Sequence, residues 1–295
     1  MKKSLSFLII GGDMRYIYLA QLLLDRGLQV SFFAPYVEIP QIPPIDQANL
    51  SDEIENANII IAPIPYTKDG HSINCAKDII IPINLLEAFL HSGQILLGGN
   101  LPASTLNNLQ QKGVFCHDFL SVHEIARKNA IATAEAAIAM SILESPINLQ
   151  DSSSIVLGYG QCGQPLVSRL LSLQSNVTIS IRNTAQIEQL VNMGFHVKQI
   201  SHIQEILPKA DFIFNTIPAK ILTRDYISLL HQDCTIIDIA SAPGGTDFEV
   251  CKEFHIHALL CLGLPGRYSP KSSALILMEE INRIRKQHQN REAFI

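Results

Sequence analysis

Charged side chains are scarce in this sequence: Asp, Glu, Lys and Arg make up 17% of its 295 residues, against 47% hydrophobic residues. That balance excludes a disordered or polyelectrolyte chain, which lacks the apolar surface to offset the entropy of ordering. No basic stripe is present. The net charge is −5, and the most basic stretch, residues 283–286, falls in a helical pattern as a solvated face. A nucleic-acid partner is therefore not expected. No apolar run approaches the length of a membrane span, so no membrane association is expected either. The opening run, residues 5–10, follows two lysines but is too short for a signal-peptide core, and Asp13 and Arg15 close it. It reads as a first buried strand, and a cytoplasmic location is expected. The cysteines, Cys75, Cys116, Cys162, Cys234, Cys251 and Cys261, contain no Cys-x-x-Cys pair. They are expected to be reduced, small core residues. The histidines include the pairs His196/His202 and His255/His257, but no cysteine or carboxylate cluster completes a ligand set, and no metal is expected.

What the chain does have is an alternation of short apolar runs and helical patterns. Residues 7–10, 29–33, 59–62, 95–97 and 113–116 predict strands, and 15–26 a helix. Residues 129–143 carry Ala, Ile and Met in a helical pattern with one acid, Glu135, that reads as buried. After a polar break at 145–154, strands follow at 155–157, 177–181, 196–197, 212–215, 235–238 and 258–260, with helices at 163–173 and 185–193. A last helix covers 272–289. Short apolar strands separated by helices imply parallel sheets covered on both faces. The predicted class is α/β, with two doubly wound parallel-sheet domains, the second a Rossmann dinucleotide-binding domain. The expected division is 1–128, a flavodoxin-like or Rossmann-like domain on the substrate side; 129–150, a linker helix and connection; 151–271, the NADP-binding domain; and 272–295, a helix that returns to the first domain. The return is a hypothesis from helix length.

The strand at 155–157 runs into Gly158-x-Gly160-x-x-Gly163. In such a turn Gly158 permits the tight bend, Gly160 lets the backbone approach a pyrophosphate, and Gly163 lets the helix pack against the strand. Gln161 and Cys162 lie where the helix N-terminus offers N–H groups to phosphates. The context of strand before and helix after is what raises the motif above a chance match. At the end of the next strand an NAD-specific site usually places an acid. Here Arg182 and Asn183 stand, and a guanidinium pairs with a 2′-phosphate, which favours NADP(H) over NAD(H). The first glycine turn, Gly11-Gly12-Asp13-Met14-Arg15, lacks the fingerprint, and Asp13 would repel a pyrophosphate. Asp13 reads as a helix cap, and Arg15 either as a helix-surface residue or as an anion anchor.

Further candidates sit at strand ends, where ligands bind in α/β sheets. Asn215-Thr216-Ile217-Pro218 is one such end; Asp238 leading to Ser241 and Gly244-Gly245 is another. The loop 263–271 holds Arg267 and Lys271 before a helix that Ser272 or Ser273 could cap. A lysine at a helix start opposes the dipole and points to an anion nearby, or is simply solvated. Thr133 precedes Glu135 and reads as a cap near the start of its helix.

These motifs together resemble the family of the A subunit of dipicolinate synthase. The resemblance rests on Gly11 to Arg15, the Thr133/Glu135 pair, the glycine fingerprint, Asn215 to Pro218, Ala240-Ser241-x-Pro243-Gly244-Gly245-Thr246-Asp247-Phe248, and Gly263-Leu264-Pro265-Gly266 with Pro270-Lys271. The sequence departs from the family pattern at Ala242, where arginine can stand, and at Arg267, where an apolar residue can. The resemblance implies formation of pyridine-2,6-dicarboxylate (dipicolinic acid) in the mother-cell cytoplasm of a sporulating bacterium. It implies the synthase's other, flavoprotein-like B subunit as partner, a small dicarboxylate substrate in an interdomain cleft, and a dehydrogenase-like role for the chain itself. A homo-oligomer stays open. On this reading Glu135 and Lys271 are the catalytic candidates, and Arg15, Thr133 and Arg267 contact substrate. Gly158, Gly160, Gln161, Cys162, Gly163, Arg182, Asn183, Thr216, Pro218 and Ser241 contact the cofactor. The substrate would be dihydrodipicolinate or a hydroxylated precursor. The alternatives are a non-catalytic nucleotide-binding scaffold subunit, or another two-domain NAD(P)-dependent dehydrogenase. A hydroxyacid dehydrogenase needs a histidine paired with an acid near the last loop, and residues 263–271 hold none.

Overall fold

A computed structural model describes residues 5–75 and 79–292. The first half of the chain runs β1 (Ser6–Ile10), α1 (Met14–Leu24), β2 (Gln29–Phe33), α2 (Leu50–Asn56), β3 (Ile59–Ile61), α3 (Ile83–Phe89), β4 (Ile95–Gly98), α4 (Ala103–Gln111), β5 (Phe115–Asp118) and the long helix α5 (His123–Glu144). Its strands form one parallel sheet in the order β2-β1-β3-β4-β5. This is the flavodoxin-like doubly wound order. Alternate residues of β1 explain its unbroken apolar run: Phe7 and Ile9 enter the core on one face, Leu8 and Ile10 the core on the other.

The second half runs β6 (Ser153–Leu157), α6 (Gly163–Ser172), β7 (Asn176–Ile181), α7 (Thr184–Asn192), β8 (His196–Gln199), β9 (Phe212–Asn215), α8 (Arg224–Ile227), β10 (Thr235–Asp238), α9 (Phe248–Glu253), β11 (His257–Leu260), α10 (Leu264–Tyr268) and α11 (Pro270–Glu292). These strands form a second parallel sheet, β11-β10-β9-β6-β7-β8. Read outward from β6, this is the 3-2-1-4-5-6 order of a Rossmann domain, with its switch point between β6 and β9. Two parallel-sheet α/β domains, the second of Rossmann type, are thus the architecture.

The chain divides into two compact units, one reaching to Ala126 and resuming at Ser269, the other running from Arg127 to Tyr268. The resumption is α11. Its Ala274, Leu277, Met278, Ile281 and Ile284 form a stripe at helical spacing, buried with Tyr16, Leu19, Ala20 and Leu23 of α1. The helix starts at Pro270, with Ser273 N donating to Ser269 O at 3.0 Å. Proline at the first helical position loses no needed hydrogen bond, so neither Ser272 nor Ser273 is the cap that the sequence suggested. Lys271 consequently belongs to the first unit, not to the dinucleotide domain. Helix α5 starts at His123, ahead of the expected 129. Its Ala134, Ala136, Ala137 and Ile138 enter the core of the second unit, so this stretch is more than a bare connection.

Candidate functional site

Three glycines do three different things after β6. Gly158 takes φ +96°, and a Cβ there would stand 2.3 Å from Thr216 Oγ1. Only glycine occupies this conformation without strain. Its N–H donates to Ser180 O of β7 at 2.9 Å, while Thr216 N and Oγ1 donate to Leu157 O at 2.9 and 2.8 Å. Gly163 opens α6, and a Cβ there would fall 2.4 Å from Gly158 O. Gly160 is the exception, since a Cβ would meet nothing within 4 Å. The protein's own packing therefore requires Gly158 and Gly163, and leaves room at Gly160. That room lies ahead of the N-terminus of α6, which no side chain caps. Helix N–H groups and the positive end of the dipole suit a pyrophosphate. Gln161 is exposed there and Cys162 half-buried. Burial pushes the Cys162 thiol up from its ordinary value, so no thiolate competes for the anion site. The residues present fit a dinucleotide phosphate.

Arg182 follows β7, is exposed, and pairs with no carboxylate among the described residues. Asn183 beside it caps α7, its Oδ1 accepting from Gln186 N at 3.1 Å. That oxygen is therefore committed to the helix.

The ends of β9 and β10, both singled out by the sequence as strand-end candidates, are tied together by a polar network that the sequence did not show. Asp238 and Asn215, the last residues of their strands, are fully buried. Asp238 Oδ1 accepts from Asn215 Nδ2 at 3.0 Å and Ala240 N at 3.1 Å; Oδ2 accepts from Gly245 N and Thr246 Oγ1, both at 2.8 Å. Asn215 also closes on Ile217, with Nδ2 donating to Ile217 O and Oδ1 accepting from Ile217 N, each at 3.1 Å. A buried carboxylate is costly unless its lone pairs are filled, and here four donors fill them. Gly244 and Gly245 are thus no ordinary turn. A Cβ on Gly244 would stand 3.0 Å from Asp238 Oδ2, and one on Gly245 would stand 2.5 Å from both Ala219 O and Asn215 Nδ2. The available signal was a polar residue closing an apolar strand run in Phe-Ile-Phe-Asn and Thr-Ile-Ile-Asp. Thr216, Pro218 and Ser241 sit on these loops, with Pro218 and Ser241 exposed.

The remaining candidates lie elsewhere. Glu135 is exposed rather than buried: its side chain is 56% accessible, and Oε1 is paired with Arg169 Nη2 of α6 at 3.0 Å. The alanines on either side pack inward and Glu135 points out between them, which a run of small residues conceals. Thr133 lies in the third turn of α5 and donates to Asn129 O at 3.1 Å, so it caps nothing. Arg267 is exposed in α10 rather than in an open loop, with its guanidinium 5.5 Å from the Tyr268 ring. Lys271 is exposed in the first turn of α11. Arg15 is buried, not a helix-surface residue. Its Nε and Nη2 grip Asp13 at 2.8 to 3.1 Å, and Nη2 also donates to Ile64 O at 3.0 Å. Asp13 caps α1 as expected, accepting from Arg15 N at 3.0 Å. The first glycine turn is filled by protein atoms: a Cβ on Gly12 would strike the Tyr16 ring at 2.3 Å, and one on Gly11 would meet Cys75 Sγ at 2.8 Å. Burial holds the Cys75 thiol up at about 12.

Residues 6–120 match the family of the N-terminal domain of the dipicolinate synthase A subunit. Over 165 residues the chain is 33% identical to the A subunit of dipicolinate synthase from Bacillus subtilis. The chain is a relative of that A subunit. This sequence match covers 55% of the chain and 54% of the Bacillus subtilis protein, about half of each. The fold likeness reaches further. The crystal structure of the dipicolinate synthase A subunit from Bacillus halodurans superimposes with a TM-score of 0.85 at 24% identity, covering 96% of this chain and 98% of that one. The transhydrogenase of Sinorhizobium meliloti shares the fold at a TM-score of 0.64 and 12% identity, with 93% of each chain covered. Residues 154–265 match the NAD binding domain of 6-phosphogluconate dehydrogenase. The second unit is accordingly a nicotinamide-dinucleotide-binding domain of dehydrogenase type.

Proposed function

We propose that this chain is the dehydrogenase-type subunit of a dipicolinate-forming enzyme and binds NADP(H) in its second unit. The observation that carries the cofactor class is the open space at Gly160 before an uncapped helix, flanked by two glycines that packing requires. The exposed Arg182 at the end of β7 supports NADP(H) over NAD(H), because a guanidinium matches a 2′-phosphate. The likeness to the dipicolinate synthase A subunit supports the reaction. Dihydrodipicolinate, or a hydroxylated precursor, is converted to pyridine-2,6-dicarboxylate with a flavoprotein-like B subunit in the mother-cell cytoplasm of a sporulating bacterium. Aromatisation removes two electrons from the dihydro ring: oxidised nicotinamide (NADP⁺) would accept them as hydride while a base takes the ring proton, and a hydroxylated precursor would lose water as well. Aromatisation of the ring drives the reaction, so the protein's part is to hold and orient.

As separate candidates for holding a substrate carboxylate, Arg267 in the second unit and Lys271 in the first are each exposed, with no carboxylate partner among the described residues. Arg15 is a weaker anchor than its sequence position suggests, because Asp13 already balances its charge. Glu135 remains the acid/base candidate to test, with Arg169 as the group that orients it, and Thr133 remains a candidate substrate contact. The test is direct. The purified chain is titrated with NADPH and NADH by fluorescence, and turnover with NADP⁺ supplied is followed by pyridine dicarboxylate absorbance with and without the flavoprotein-like partner. NADPH binding tighter than NADH, and product formed with both subunits present, is the expected result. Absence of dinucleotide binding would overturn the proposal. A second reading, a non-catalytic scaffold, is favoured by the lack of histidine in residues 263–271. It predicts dinucleotide binding without any consumption of the dinucleotide when the flavoprotein-like partner turns over.

A further inference from the structure

The loop after β10 is held by one carboxylate. Asp238 is fully buried, and among the described residues no lysine or arginine pairs with it. Its four hydrogen bonds go to three separate pieces of backbone and side chain: Asn215 at the end of β9, Ala240 at the start of the loop, and Gly245 with Thr246 at its end. The loop's far end is pinned again, since Ile221 N and Leu222 N both donate to Gly245 O, at 2.8 and 2.9 Å. Asn215 passes the constraint to the neighbouring loop through its two bonds to Ile217. Thr216, next in line, is bonded to Leu157 O beneath the Gly158 turn. A continuous set of hydrogen bonds therefore links the glycine turn after β6 to the loops after β9 and β10. Nothing of this kind is needed to close the sheet itself, whose register β9–β10 is complete from Thr235 to Asp238.

In a Rossmann sheet the dinucleotide crosses the switch point, here between β6 and β9. The half containing β7, with Arg182 at its end, takes the adenosine side. The loops after β9 and β10 are left for the nicotinamide side. We infer that Asp238 is the positioning residue for the nicotinamide end of the cofactor site: its carboxylate fixes loop 240–246 and, through Asn215, loop 216–218, as one preorganised wall. This rests on the dinucleotide reading above. An amide in place of the carboxylate turns one of the two oxygens into a donor facing donors, which releases one side of the wall. A valine at 246 removes a single donor and leaves three.

The test separates the two ends of the ligand. Binding of NADPH and of 2′-phospho-ADP-ribose, which lacks the nicotinamide, is measured calorimetrically on the full chain; if the wild type prefers the unphosphorylated cofactor, NADH and ADP-ribose are used. The variants are Asp238→Asn, Thr246→Val and Thr246→Ser, each with its melting temperature. In Asp238→Asn and Thr246→Val, NADPH affinity falls about tenfold, close to that of the fragment. Fragment affinity moves less than twofold, and Thr246→Ser restores NADPH binding. Should Asp238→Asn not fold, Thr246→Val against Thr246→Ser carries the comparison. Parallel loss of both ligands, tracking the melting temperature, would mean a merely structural carboxylate and overturn the inference, as would unchanged NADPH affinity. A wild type that binds neither ligand overturns the dinucleotide reading and takes this inference with it.

Discussion

At the residue scale, the glycines of the second unit separate ligand space from packing space. A valine at 160 meets no protein atom at its Cβ, so Gly160→Val leaves the melting temperature within a degree or two while abolishing dinucleotide binding. An alanine at 163 meets Gly158 O at 2.4 Å and costs roughly 1–3 kcal/mol, as overpacking does. Thermal melts and NADPH titrations of both variants check this, and a destabilised Gly160→Val would show that the space is needed by the fold. Arg182→Asp should weaken NADPH about tenfold or more relative to NADH, since a charge-assisted hydrogen bond contributes about 1.5–3 kcal/mol. Equal weakening of both cofactors would assign Arg182 to the solvated surface. The fingerprint itself was legible in the sequence because each glycine's role follows from backbone geometry alone. Glu135 was not: exposure depends on which face of α5 the second core covers, and a run of alanines hides that face.

At the element scale, the last helix is fastened to the first sheet by a polar cluster as well as by its apolar stripe. His117 of β5 lies with Nε2 2.8 Å from Glu280 Oε1, and Glu280, nearly buried, accepts from Arg283 Nε at 2.7 Å. Hydrogen bonding from Arg283 holds the Glu280 carboxyl below its ordinary value. Burial holds His117 below its ordinary value, outweighing the attraction of Glu280. A histidine depressed on folding stabilises the fold above its unfolded value of 6.5 and loses that contribution as pH falls below it; the depressed Glu280 adds a further loss below 4.5. Acid should therefore loosen α11, beginning near pH 6.5. Thermal melts of the wild type and His117→Gln between pH 7.5 and 5.5 check this: the variant's profile should be the flatter, and equal slopes would refute it. Glu280→Gln should cost about 1–3 kcal/mol at pH 7, the penalty for leaving donors poorly paired.

At the scale of the whole molecule, α11 returns to the first unit and completes its core. Leu277, Met278, Ile281 and Ile284 are at most 1% exposed. At about 1.5–3 kcal/mol for each buried side chain, the four contribute roughly 6–12 kcal/mol. That is comparable with the entire stability of a typical domain, about 5–15 kcal/mol. A chain ended at Ser269 should lose the cooperative unfolding of its first unit while the second still binds NADPH. Calorimetric scanning, combined with a fluorescence titration, distinguishes this from a dispensable helix, which would leave both transitions in place.

The sequence by itself determined the two α/β halves, the parallel order of strand and helix, the glycine turn and the arginine at the end of the second strand of the dinucleotide domain. These depend on local periodicity and on backbone conformations that only particular residues adopt. Tertiary structure alone decided the rest. Arg15 is spent on Asp13, Glu135 faces solvent against Arg169, Lys271 belongs with the first unit, and Asp238 gathers donors from positions 215 to 246. Each of these is set by what stands opposite a side chain across a gap in sequence, and burial and pairing at such distances leave no periodic trace in the chain.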